Sequence, residues 1–140
     1  MSFTTADLRL NSVETRITTL LSESCSLLFE YLKYMKAQSK GNVVSISINR
    51  MRAFVMTCAG KYRQYICEDI IETSRWRSTV IRLNNMFASL AIAGDIEMVR
   101  KGIYIVRKDG KLWQFVNEND SDGFCKYVLD IVARYTKAKS

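Results

Sequence analysis

The chain has 140 residues, 48% apolar and 25% charged, with a formal net charge of +7. That length buries a core without disulfide or metal staples, and that balance excludes a disordered chain. Histidine and proline are both absent, which removes Ser-His and Cys-His nucleophile pairs and most zinc-site recipes.

No stretch approaches the roughly 18 uninterrupted apolar residues of a membrane span, and the N-terminal MSFTTADLRLNSVETR lacks a signal-peptide pattern. A single cytoplasmic domain over 1–140 is expected. Its charge is unevenly placed: residues 1–40 carry a net +1, residues 41–116 a net +6, and residues 117–140 zero. A localised basic excess suits a polyanionic partner, although a solubilising surface produces the same charge. Cys25, Cys58, Cys67 and Cys125 form no CxxC pair, so buried free thiols are expected, with a disulfide left open as the alternative, and with no metal and no cofactor.

In chain order, the spacing of Val13, Ile17, Leu20, Ser24, Leu28, Tyr31 and Met35 predicts a long helix over 12–38, with Ser12 as a cap. Leu21, Leu27 and Leu32 widen the stripe, which suits core packing or a coiled-coil-like homodimer seam. VVSIS (43–47) alternates like a short strand. Ser45 or Ser47 then opens a helix over 47–60 that buries Ile48, Met51, Phe54, Val55 and Cys58 and stops at Gly60. A short helix over 63–73 is expected next, with Tyr65, Ile66, Ile70 and Ile71 inward and Glu68, Asp69 and Glu72 outward.

The following segment, TSRWRSTVIRLNNMFASLAIAGDIE, carries most of the functional signal. Thr73, Ser74 or Ser78 starts a helix that Gly94 ends. On a wheel, Trp76, Val80, Leu83, Phe87, Leu90 and Ala91 share one side. Ser78, Arg82, Asn85 and Ser89 take the other, with Arg75 beside them. That outer face holds no carboxylate, as close approach to a phosphate backbone requires. The period then switches to two, giving strands over 96–100 and 103–107 around Arg100-Lys101-Gly102. Asp109-Gly110 signals a second hairpin, with a third strand over 112–116. A polar linker, NENDSDG (117–123), and a final helix over 124–137 close the chain. Asp120 and Asp122 lack the full ligand series of a calcium loop.

From about residue 43 to 107, and most closely in VIRLNNMFASLAIAGDIEMVRKGIYIV, this order resembles the winged helix-turn-helix superfamily of archaeal, viral and bacterial regulators. The resemblance implies an α+β, mostly helical fold. Its winged helix core spans 43–116, with a long N-terminal helix, a small antiparallel sheet and a C-terminal helix. It also implies double-stranded DNA as the partner, a recognition helix over about 75–92 in the major groove, and a wing tip on flanking phosphates or the minor groove. Arg75 and Arg77 then meet the backbone, and Ser78, Arg82 and Asn85 reach base edges. Ser89 leans on a phosphate, Arg100 and Lys101 form a short wing tip, and Lys61 and Arg63 add phosphate contacts.

A regulator that dimerises through its N-terminal helix follows from this reading. Winged helices also serve as protein-interaction modules in transcription, replication or inhibitory complexes. In that case Tyr104, Trp113 and Phe115 are candidate anchors if exposed, and core residues if not. Nothing in the sequence assembles an enzyme's nucleophile, phosphate loop or carboxylate pair.

Overall fold

The computed structural model describes residues 5–67, 71 and 73–138. The elements run α1 (Thr5–Gln38), β1 (Val43–Ile46), α2 (Ile48–Thr57), a 3₁₀ turn (Arg63–Tyr65), α3 (Ser74–Ala93), β2 (Glu97–Arg100), β3 (Ile103–Arg107), α4 (Lys111–Asn117) and α5 (Ser121–Ala138). Among the described residues the fold is α+β and mostly helical, with five α-helices and one antiparallel sheet ordered β1-β3-β2. None of these helices is long and apolar enough to cross a membrane.

The C-terminal half of α1 is the central element. Cys25, Leu28 and Leu32 are fully buried, and Leu27, Phe29 and Tyr31 nearly so. This broad stripe packs α1 against α2, α3, α4 and α5. Each fully buried leucine contributes about 1.5–3 kcal/mol of transfer free energy. From Ser24 onward the expected stripe is therefore core. The Tyr31 hydroxyl donates to the Ser45 carbonyl at 2.6 Å, tying the helix to β1. Ser12 does not cap α1, which is already helical from Thr5.

Ser47 caps α2 by accepting from the Arg50 N–H at 3.2 Å, and Met51, Phe54 and Val55 face the core. Ile48 and Cys58 are only partly buried, and the helix ends at Thr57, before Gly60. The expected helix over 63–73 does not form as such. Among its described residues only Arg63–Tyr65 is helical, and Ile66 is already extended (φ −110, ψ 130). Tyr65 and Ile71 are buried here; Glu68, Asp69, Ile70 and Glu72 lie outside the described residues. Tyr65 packs edge-on against Trp76, with ring centroids 6.0 Å apart.

Thr73 caps α3: its hydroxyl accepts from the Trp76 N–H at 3.0 Å and donates to the Tyr65 carbonyl at 3.2 Å. Gly94 ends the helix in the left-handed region (φ +89). The Gly94 N–H reaches the Ala91 carbonyl, and the Asp95 N–H reaches Leu90 at 2.9 Å. These two bonds form a Schellman stop. The hairpin that follows turns at Lys101-Gly102, with Gly102 at φ +80. Val99 is bulged between Met98 and Arg100.

The third strand expected over 112–116 is instead α4. The place beside β3 is filled by β1, with Val44 opposite Val106 and Ile46 opposite Tyr104. Leu112, Trp113 and Val116 are buried at helical spacing, and Gly110 turns the chain back onto the Arg107 carbonyl at 3.0 Å rather than into a hairpin. Asn119 (φ 54) makes the turn into α5. There Asp120 accepts from the Gly123 N–H at 2.9 Å, so that aspartate is spent on a helix start.

A Cβ added at Gly94 would meet no atom within 4 Å, so the cost of a side chain there is backbone strain alone. Gly94→Ala should lower the unfolding free energy by about 1–2 kcal/mol in a urea titration. Gly60→Ala, at an exposed position with open space, should leave it unchanged or slightly raised.

Candidate nucleic-acid interface

α3 contains no aspartate or glutamate anywhere along its length. It packs against α1, α2 and α5 at once, and Phe87 stacks on Tyr104 of β3 with centroids 5.5 Å apart. Its buried arc is therefore wider than its aliphatic stripe and takes in Thr79, Met86 and Ser89. The solvent-facing residues are Ser74, Arg75, Arg77, Ile81, Asn84, Asn85 and Ile92. At 100° per residue their stripe, Arg75 apart, is turned by roughly 80° from the one the sequence predicts.

The rotation sorts the expected contact residues. Arg77 and Asn85 are exposed as expected. Ser78 and Arg82 sit at the margin, half-buried, and Arg82 folds back so that Nη1 donates to the Ser78 carbonyl at 3.1 Å. Ser89 is a correction: it is only 6% exposed and faces the core. Ile81 and Asn84 join the exposed stripe instead, and Ile81 is 60% exposed. The sequence signal for them was present, since Arg77, Ile81 and Asn84 follow helical spacing on the same acid-free segment.

Arg75 is exposed, as expected, but paired. Its guanidinium is held by Glu23 of α1 in a two-pronged pair, Nε to Oε1 at 2.9 Å and Nη2 to Oε2 at 2.7 Å. It also lies over the Tyr65 ring at 5.9 Å. The Tyr65 hydroxyl donates to the same carboxylate. Arg75 thus latches the start of α3 to α1. Lys61 is likewise paired, its Nζ 3.0 Å from Glu30, whereas Arg63 stands exposed on the 3₁₀ turn. Arg100 and Lys101 are exposed at the hairpin tip, and Glu97 places one acid at its base.

The aromatic anchors considered for a protein partner are occupied. Trp113 is buried, Tyr104 packs on Phe87, and Phe115 packs on Phe124 and Tyr127. The Tyr127 hydroxyl donates to Asp95 at 2.8 Å, joining α5 to the corner after α3. Burial, then that hydrogen bond, pushes its pKa up to about 12. All four cysteines are free thiols, and only Cys25 is buried.

No family model, curated protein or solved structure matches this chain.

Burial raises the pKa of Glu23, but the hydrogen bonds from Arg75 and Tyr65 and the charge of Arg75 outweigh it and hold the carboxyl below its ordinary value of 4.5. A depressed folded-state pKa means that the unfolded chain takes up the proton first. The latch therefore stabilises above the ordinary carboxylate range and is lost as pH falls through the folded value. In thermal melts, Glu23→Gln should be less stable than wild type near neutrality, with the gap closing as the pH falls from about 5 to about 3.

Proposed function

We propose that the chain binds double-stranded DNA as a winged helix-turn-helix protein, with α3 in the major groove and the β2–β3 hairpin as a short wing. The observation that carries this reading is the acid-free α3, whose solvent stripe presents Arg77, Ile81, Asn84 and Asn85. Arg pairs with guanine, Asn with adenine, and an aliphatic side chain with the thymine methyl. The positive end of the helix dipole adds to the attraction at its start. Element order supports the reading: helix, strand, helix, connection, helix and hairpin, with β1 beside β3. The connection between α2 and α3 is longer than the usual three- or four-residue turn.

The contact set that follows is Arg77, Asn84 and Asn85 toward bases, with Ile81 on a thymine methyl. Arg100, Lys101 and Arg63 contact phosphates, and Arg82 makes a marginal contact. Arg75, Lys61 and Ser89 serve the fold. A regulator built this way dimerises to read two half-sites. Because α1 is spent in the core from Ser24 onward, a dimer seam falls to the residues before it, of which the side chains of 5–20 lie outside the described residues.

A salt-titrated gel shift with genomic and random duplexes tests the reading. Arg77→Ala should weaken duplex binding by about 1–3 kcal/mol and relax preference at one base position. Arg82→Ala should cost less, and Ser89→Ala should leave affinity unchanged. Wild-type protein that shifts no duplex even at low salt would refute DNA binding.

A second reading, a protein-interaction module in a transcription, replication or inhibitory complex, is favoured by one observation. Ile92, Met98 and Val99 are 55%, 58% and 52% exposed, and a groove lined by Ala91, Ile92, Ile96, Met98 and Ile105 runs beside them. If this surface docks a protein, Ile92→Asp should abolish co-purification of that protein and Arg77→Ala should not. If α3 reads DNA, the sensitivities reverse for duplex binding.

A further inference from the structure

We infer that Cys25 and Cys125 form a peroxide-reactive dithiol, which closes into a disulfide linking α1 to α5. The two residues sit where α1 and α5 pack together. Phe29, one turn along α1 from Cys25, stacks on Phe124, the neighbour of Cys125, with ring centroids 5.2 Å apart. That stacked pair fixes the helix crossing at the level of the two thiols. The Cys25 thiol points at the Cys125 residue, with Sγ 4.0 Å from its carbonyl oxygen. The Ser26 hydroxyl lies 3.8 Å from Cys125 Sγ.

Their surroundings give the two sulfurs different roles. Cys25 is completely buried, whereas Cys125 is partly open to solvent. A hydrogen bond from Cys25 is the largest influence on Cys125. Burial opposes it, the hydroxyls of Ser26 and Ser121 assist it, and the charge of Asp122 opposes it. The result holds the Cys125 thiol below its ordinary value. The same hydrogen bond, with burial, pushes Cys25 up, so Cys25 keeps its proton. An accessible thiolate beside a protonated partner is the arrangement of an attacking and a resolving cysteine.

The chemistry balances with hydrogen peroxide as oxidant. The Cys125 thiolate attacks one peroxide oxygen; an S–O bond forms, the O–O bond breaks, and the departing hydroxide takes a proton to leave as water. The Cys25 sulfur then attacks Cys125 Sγ, the S–O bond breaks, and a second water leaves with the Cys25 proton. Two electrons, one from each sulfur, end on the peroxide oxygens. The product joins residues 100 apart in the chain, the kind of long loop for which closure restricts the unfolded state most.

The test uses the full chain, reduced and then treated with hydrogen peroxide, quenched with an alkylating agent and weighed intact. The expected result is a mass loss of about 2 Da, two thiols left for alkylation, and a peptide map joining Cys25 to Cys125. The unfolding midpoint should rise by about 10 °C and return on reduction. Cys125→Ser should abolish the mass loss. Cys25→Ser should leave Cys125 trapped as a sulfenic acid that reacts with dimedone. The double variant Cys58→Ser/Cys67→Ser leaves the Cys25–Cys125 pair untouched and should close as wild type does, so the outcome does not hang on a core substitution that fails to fold. A bridge mapped to Cys58 or Cys67, dimers joined through Cys67, or over-oxidation of Cys125 with Cys25 still free would overturn the inference.

Discussion

Burial of the α1 face from Ser24 to Leu32 is the constraint on which the rest of the molecule depends. Four other helices pack on α1, and Tyr31 of that face reaches across to anchor β1. Two consequences follow for α3. It is enclosed on more than one side, so packing on several partners decides which residues face water. Its start is also pinned by Glu23, a residue of the same central helix. A core element and a surface element are thus coupled through one carboxylate, and the orientation of the exposed stripe is inherited from α1.

That coupling changes the meaning of the basic residues. A guanidinium held by two hydrogen bonds to a carboxylate is nearly neutral as a pair and has little left for an external phosphate. Arg75 is held this way, and Lys61 makes a single contact with Glu30. The positive potential near α3 therefore rests on fewer side chains than composition suggests: Arg77, a partly folded-back Arg82, and the hairpin tip. What distinguishes α3 is less its cations than its freedom from carboxylates, together with an amide pair and an aliphatic side chain on the exposed stripe.

Much of this architecture was legible in the sequence because local chemistry and tertiary packing agree there. Ser47 and Thr73, each one of the alternative caps the sequence offers, and Gly94, its expected helix end, act at those element ends, and Gly102 turns the hairpin. The failures have a common origin in packing between distant segments. Leu112 to Val116 alternates plausibly as a strand, yet β1 had already taken the position beside β3, and Trp113 was needed in the core. Tyr65 packs edge-on against Trp76 where the sequence predicts a longer helix. Ser89 is small and polar, so a helical wheel sends it outward, but a small side chain also suits a crowded flank between packed elements. The pairing of Arg75 with Glu23 spans 52 positions, and no local pattern announces it. The acid-free character of α3 was fully legible; its angular setting was not.

The outer strand of the sheet bears on how the protein behaves in a crowd. β2 pairs on one side only and exposes all four of its residues, two of them apolar. Such a rim offers unpaired backbone groups to any passing extended chain, which is how sheets grow from one molecule into the next. Here Glu97 and Arg100 set opposite charges at its two ends, and the bulge at Val99 breaks the regular spacing that an added strand would have to match. These features guard against polymerisation at high concentration while leaving the apolar side chains of the rim accessible.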